Sequence, residues 1–300
     1  MNVLMTGSHG LIGTALTDIL KARGDRVVRL LRGPSPASPQ EPTWDPAVGR
    51  IDAARLEGFD AVVHLAGESL AAGRWTQARK ARIRDSRVNG TRLLAETLAR
   101  LSRPPRVLLS ASATGYYGDR GDEILREESP PGTGFLAGLC REWEAAADPA
   151  RRAGIRVIHL RTGLVLSPAG GLLPRILPVF RLGLGGRLGS GRQFMSWIAI
   201  DDVCEAVRHL LASNTIAGPV NLVAPRAVTN QEFTAVLGGA LLRPTLFTVP
   251  PAILRMIFGE MADEALLASG RVEPARLVAS GYSFRFPGLS DALAALLGRR

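Results

Sequence analysis

The apolar positions of this 300-residue chain fall into two alternating rhythms. Short unbroken runs, such as Val3-Leu4-Met5, Ala61-Val62-Val63 and the stretch ending at Leu109, have the length of strands buried on both faces. Between them lie longer stretches with apolar residues three and four apart. Leu11, Ile12, Ala15, Leu16, Ile19 and Leu20 mark a helix over 11–21, with Gly24 as its stop. Arg26–Leu31 reads as a second strand, Thr76–Arg100 as a long charged helix, Phe135–Arg152 as a helix, and Ile155–Leu160 as a strand. Strands alternating with helices over the first 165 residues predict an α/β fold built on a doubly wound parallel sheet. After that the rhythm loosens. Gln193–Ile200 is strand-like, Asp201-Asp202 is expected to cap the helix that follows, and short helices run to the end. The expected organisation is a dinucleotide-binding part over 1–165, with 193–223 contributing. A smaller, partly helical lobe over 166–300 lies on the substrate side and includes a helical segment over 247–295.

The first thirteen residues carry the most specific signal. A strand ends at Thr6, glycines follow at 7, 10 and 13, and a helix begins at Leu11. Gly7 lets the chain reverse off the strand, Gly10 lets the backbone approach a diphosphate, and Gly13 lets the helix lie close on the strand. The helix start then offers free N–H groups and the positive end of its dipole to an anion. Thr6, Gly7, Ser8, His9, Gly10, Leu11, Ile12 and Gly13 are therefore assigned to a dinucleotide. The second strand ends with Arg29 and Arg32 and has no acidic residue there. An arginine at that place suits a 2′-phosphate, so NADP is favoured over NAD. Leu65, Ala66 and Gly67 leave the next strand in a small-residue turn that lets the backbone pass close to the cofactor. His64, inside an apolar run, reads as a hydrogen-bonded core residue. Trp44, in a Pro- and Ser-rich loop over Gly33–Gly49, suits either an adenine face or the anchoring of that loop.

Composition narrows the partners. The net charge of +10 is mostly arginine, scattered along the chain without a block or a reading motif, so no nucleic acid is expected. Two cysteines without a C-x-x-C pair fit a reducing, cytoplasmic setting and give no sign of a metal site. No apolar stretch reaches the length of a membrane span, and the first residues read as a strand and not as a signal peptide.

Hydroxyl groups crowd the end of the strand over 106–109, in Ser110-Ala111-Ser112-Ala113-Thr114-Gly115-Tyr116-Tyr117-Gly118. This is where open α/β sheets bind ligands. Ser110 is assigned to the cofactor side, Ser112 and Tyr117 to catalysis, and Tyr116 to the substrate pocket. Further along, the glycine-rich stretch over 183–191 brings Arg187 and Arg192, which suit a small anionic substrate.

Together these stretches resemble the extended branch of the short-chain dehydrogenase/reductase superfamily. The resemblance rests on the Gly7/Gly10/Gly13 loop, Leu65-Ala66-Gly67, Ser112-Ala113-Thr114 with Tyr117-Gly118, Arg161-Thr162-Gly163, and Trp197 to Asp202. Within that branch the chain is similar to the epimerase family proteins. Ser86-Arg87-Val88, Trp143-Glu144, Gly189-Ser190-Gly191-Arg192-Gln193, and a tail including Gly259-Glu260-Met261, Val272-Glu273-Pro274 and Gly281-Tyr282 match that group. The resemblance implies a Rossmann-type domain, NADP, and redox or epimerase chemistry through a Tyr-x-x-x-Lys pair aided by Ser or Thr. Here the chain departs from the pattern. The tyrosine position is Phe135 and the lysine position Leu139, neither of which transfers a proton, and Arg87 stands where many extended members have Asn. Ser112 alone of the trio is kept. Two functions therefore remain open: an NADP-dependent oxidoreductase or epimerase using another acid, with Tyr117 as the candidate, or an NADP(H)-binding sensor without turnover.

Overall fold

The computed structural model describes residues 1–33 and 41–298. Its main strands are β1 (Asn2–Thr6), β2 (Arg26–Arg29), β3 (Ala61–His64), β4 (Val107–Ala113), β5 (Arg156–Thr162) and β6 (Gly218–Leu222). They form a parallel sheet in the order β6-β5-β4-β3-β1-β2. The helices are α1 (Leu11–Ala22), α2 (Gln77–Leu98), α3 (Phe135–Ala145), α4 (Asp148–Arg152), α5 (Leu173–Arg181), α6 (Ile200–Ala212), α7 (Asn230–Leu241), α8 (Pro251–Phe258), α9 (Ala275–Ala279) and α10 (Leu289–Leu296).

Period-two alternation sends neighbouring strand residues to opposite faces, and both faces are covered. Val3 and Met5 pack under α1 and α6 with Leu16, Leu20, Val203 and Val207. Leu4 packs on the other face with Leu94 and Leu98 of α2 and with Leu108 and Val157. The strand order turns back at β1, so the switch point lies between β1 and β3, where an open sheet leaves its crevice. A second core joins α5, α7 and α10 around Trp197 and Phe286.

Several elements differ from the sequence reading. The helix expected over Phe135–Arg152 is two helices, α3 and α4, because Pro149 lacks an N–H and belongs in a new first turn. The loop expected over Gly33–Gly49 contains a strand, Thr43–Asp45, paired with Leu31–Arg32 and Arg50–Ile51; its residues 34–40 lie outside the described residues. Trp44 is an anchor there, 4% exposed, with its ring edge-on to His64 at 5.7 Å. The strand expected over Gln193–Ile200 is two short pieces, and Trp197–Ala199 pairs with Leu164–Ser167 outside the main sheet.

Asp202 does not cap α6, whose N-cap is Ala199. Its carboxylate is buried and accepts hydrogen bonds from the backbone N–H groups of Arg285 (2.7 Å) and Phe286 (2.9 Å) and from the Tyr282 hydroxyl (3.1 Å). Two other carboxylates fasten the C-terminal segment in the same way. Glu127 Oε1 accepts from the N–H groups of Asn221 (3.0 Å) and Arg276 (3.2 Å). Glu264, in the π-helical turn Ala262–Leu266, accepts from the N–H groups of Phe135 (2.7 Å) and Leu136 (2.8 Å) at the start of α3. Nearby, Glu260 pairs with Lys80 at 2.8 Å, and Met261 packs with Ile83 and Leu139.

Candidate functional site

The glycine loop closes by contact. Gly7 has φ of +67°, and a Cβ there would stand 2.6 Å from the Leu65 carbonyl carbon. A Cβ on Gly13 would overlap the Gly7 carbonyl oxygen. The β1–α1 turn and the Leu65–Gly67 turn are thus pressed together, and only glycine fits at 7 and 13. α1 opens at Gly10 with no side-chain cap and no acid in its first turn, so its free N–H groups face the crevice unneutralised. Thr6 is wholly buried and does not reach a ligand with its hydroxyl; it accepts from the Ala66 N–H at 3.3 Å and so fixes the turn. His64 lies between the hydroxyls of Thr6 (2.7 Å) and Thr91 (2.9 Å). Burial pushes its pKa down to about 4, which keeps it neutral.

At the outer edge, Arg29 lies 3.4 Å from His9 and pairs with Glu41 at 2.5 Å. The strand end itself has no acid, but the loop brings one in, which strand position alone could not reveal. Arg32 is exposed, three residues further along the chain.

Toward the middle of the sheet, Ser112 ends β4 with its hydroxyl 2.7 Å from Glu144 Oε1, to which it donates. Glu144 comes from α3 and is clamped by Arg161 of β5, whose Nε donates to Oε1 at 2.8 Å and Nη2 to Oε2 at 2.9 Å. Register explains the meeting, since Ser112 and Arg161 are direct partners across β4 and β5 and share a face. Arg161 also stacks on the Tyr116 ring, with Cζ 3.5 Å from its centroid, and donates from Nη1 to the Tyr117 hydroxyl (3.0 Å) and the Glu127 carbonyl (3.1 Å). Burial works against the Arg161 charge, but the bonds and charge of Glu144 outweigh it and hold the guanidinium above its ordinary range.

This geometry corrects two assignments, those of Tyr117 and Ser110. Tyr117 is fully buried, and its hydroxyl is closed between Asn221 Oδ1 (2.7 Å) and Arg161. Burial raises its pKa to about 12, although Arg161 and Asn221 pull it the other way, so it supplies no proton to the crevice. Of the two phenols, Tyr116 is the partly exposed one. Ser110 is fully buried inside β4, in register with His64 and His159, so its hydroxyl does not reach a cofactor. Arg187 and Arg192 are exposed on one glycine turn of the smaller lobe. Arg187 donates to Thr248 Oγ1 at 3.0 Å, and neither arginine bonds to the Ser112 group. Phe135 and Leu139, at the tyrosine and lysine positions, pack with Trp75 and Ile83 in an apolar cluster.

Glu144, Arg161 and Glu41 are not among the site residues assigned from the sequence. Trp143-Glu144 and Arg161-Thr162-Gly163 were visible as motifs, but their pairing is a matter of register. The cysteines are free and buried, and burial raises the thiol pKa of each to about 12, which makes them inert. Among the described residues, no group of His, Cys, Asp and Glu is arranged to hold a metal ion. Likewise, no helix there is long and apolar enough to cross a membrane.

A doubly wound parallel sheet with a glycine-lined β1–α1 turn at its switch point, and a serine at the end of β4, defines a dinucleotide-binding protein of the short-chain dehydrogenase/reductase type. Residues 3–222 match the model of the NAD dependent epimerase/dehydratase family, and residues 249–296 match a domain of unknown function, DUF1731. The chain belongs to that epimerase/dehydratase family, with the DUF1731 segment at its C-terminal end. It is 45% identical over 291 residues to an epimerase family protein of Mycobacterium bovis, covering 97% of this chain and 96% of that one. The crystal structure of human epimerase family protein SDR39U1 with NADPH superimposes with a TM-score of 0.90 at 36% identity, covering 100% of both chains. A nucleoside-diphosphate sugar epimerase from Corynebacterium glutamicum gives a TM-score of 0.82 at 38% identity, with 99% of this chain matching 58% of that one.

Proposed function

We propose that the chain binds NADP(H) in the crevice between β1 and β3 and acts as an oxidoreductase or epimerase on a small polar substrate seated beside Ser112. The observation that carries the cofactor is the crowding of Gly7 and Gly13 beneath a helix start that nothing caps, with Arg29 and Arg32 at the adenosine end. These residues fit the group: free N–H groups suit a diphosphate, and guanidinium groups suit a 2′-phosphate, with Arg29 also held through its Nε by Glu41. That human SDR39U1 was crystallised with NADPH supports the same choice. When bound, the cofactor would supply hydride transfer.

The chain's own residues set the polarity of the substrate site. The Ser112 proton is committed to Glu144, so its free lone pairs accept. Glu144, held by both oxygens on Arg161, orients the serine through its Oε1. Ser112 therefore receives an O–H or N–H donor, such as a substrate hydroxyl. Arg187 and Arg192 would serve an anionic substituent reaching the smaller lobe. Two free buried cysteines suit a cytoplasmic setting.

A second reading has its own support. With Tyr117 sealed and Phe135 and Leu139 apolar, no phenol–ammonium pair stands beside Ser112, which favours NADP(H) binding without turnover. Calorimetry tests the shared part. NADPH should bind about tenfold or more tightly than NADH, and Arg29→Ala or Arg32→Ala should narrow the gap; equal affinities would refute it. Screening alcohols, carbonyl compounds and nucleotide sugars separates the readings, since turnover that falls with Ser112→Ala selects the enzyme. Tight NADPH binding with no turnover of any class selects the sensor.

A further inference from the structure

Most of the large apolar side chains left exposed among the described residues lie in two stretches of the smaller lobe, 179–184 and 242–257. Leu246 is 87% exposed, Leu242 78%, Leu182 75% and Met256 69%. The fold brings the two stretches together. Arg243 donates from Nε to the Arg181 carbonyl at 2.8 Å, a Cβ on Gly183 would stand 3.7 Å from Pro244, and Gly186–Leu188 pairs in parallel with Phe247–Val249. α8 follows directly, with an apolar side turned outward. Its Ile253, Met256 and Ile257 have the spacing of one helix face and are exposed, while Leu254 is its buried residue. Single exposed apolar residues need no explanation, but a connected set of them marks a surface that meets something.

The charge around this face has one sign. Residues 149–200 and 233–259 contain no Asp or Glu, yet they bring Arg181, Arg187, Arg243 and Arg255 to it. Arg255 is matched by Asp263 of the π-helical turn at 2.9 Å. Arg181 and Arg243 have no carboxylate partner among the described residues. Together with Leu241 and Leu297 they line a hollow of about 340 Å³, which has room for a phosphate group. A second copy of the chain would bring like charges together here. Protein interfaces draw on Tyr and Trp, whereas the exposed apolar residues of this face are Leu, Ile, Val, Met and one Phe. Aliphatic side chains interleaved with arginines suit acyl chains and the phosphates above them.

We infer that this face of the smaller lobe is a docking surface for an anionic membrane, on which the chain rests without crossing it. The apolar residues of α8 and of the 242–247 turn enter the headgroup boundary, and Arg181 and Arg243 meet lipid phosphates. The inference stands apart from the NADP(H) reading, because neither the β1–α1 turn nor the Ser112 group belongs to this face.

Sedimentation of the full chain with lipid vesicles tests this. Vesicles of phosphatidylcholine with about one-third phosphatidylglycerol should carry the chain down, phosphatidylcholine alone should not, and added salt should release it. Leu246→Ser with Met256→Ser should weaken binding by about tenfold or more, as should Arg181→Gln with Arg243→Gln. All four side chains are exposed, so both paired variants should keep the Tm of the parent. Val48→Ser, at an exposed apolar residue outside the face, should bind as the parent does. Equal binding to both kinds of vesicle, binding to neither, or anionic binding that the paired variants leave within about twofold overturns the inference. So does self-association of the unaltered chain in ultracentrifugation that Leu246→Ser with Met256→Ser abolishes, which would make the face a protein interface.

Discussion

Replacing Glu144 by leucine would leave the Arg161 guanidinium, whose side chain is 3% exposed, without the two bonds of 2.8 and 2.9 Å that neutralise it. What remains to it is the Tyr117 hydroxyl, the Glu127 carbonyl and the Tyr116 ring, none of which carries a negative charge. Breaking a buried pair by removing one partner costs about 3–5 kcal/mol. Ser112 loses its acceptor in the same step, adding about 1 kcal/mol. For a chain of this size each kcal/mol lowers Tm by roughly 2–4 °C, so a fall of about 8–24 °C is expected. Arg161→Leu should cost a similar amount, because it strands the carboxylate. The double variant removes both charges and should cost less than the sum of the singles by about 2–3 kcal/mol. Urea unfolding of the four proteins reads this directly. Additive losses would show that the two groups do not act as a pair, and the orientation of Ser112 by a clamped carboxylate would fall with them.

Two further outcomes follow from burial and from the fastening of the C-terminal segment. His64 titrates near 6.5 when unfolded and about 4 when folded, so above pH 6.5 both states are neutral and its contribution is fully present. As pH falls from 6.5 to about 4, the unfolded chain takes the proton first, and about 3 kcal/mol of stability is lost. His159, lowered mainly by burial, acts in the same direction. His64→Gln should flatten this acid limb in unfolding measured across pH, and an unchanged slope would refute the assignment. Glu264→Ala frees the N–H groups of Phe135 and Leu136, and by the usual worth of such a cap should cost about 0.5–2 kcal/mol. Their amide exchange should speed up by roughly tenfold while exchange in β1 stays unchanged; protection equal to that of the parent would contradict the cap.

The glycine loop was legible in the sequence because its requirement is local: φ at Gly7 and contact at Gly13 are set by backbone alone. The strands were legible because unbroken apolar runs have few other uses. The polar groups were harder. Whether Tyr116 or Tyr117 faces the crevice depends on the rotation of the single 3-10 turn over Thr114–Tyr117, which no period reveals. Asp202 looked like a cap because it sits in a first turn, whereas its partners lie 80 or more residues away. Glu144 meets Arg161 only through the register of β4 with β5 and the rotation of α3. Glu41 reaches Arg29 from a loop whose path is not written in its composition.

The three carboxylates that hold the C-terminal segment bind mainly main chain, not side chains. Glu264 holds the N–H groups of residues 135 and 136, Glu127 those of 221 and 276, and Asp202 those of 285 and 286. Because every residue except proline presents an N–H, the receiving positions are free to change identity while the three acids are not. The two matched family segments, 3–222 and 249–296, are therefore riveted from both sides. Cutting the chain between them would strip Asp202 of its backbone donors, take one from Glu127, and uncover the start of α3. The boundary visible in sequence families is thus not a seam of the molecule, and a shortened chain ending near residue 248 is expected to be a damaged protein instead of an independent domain.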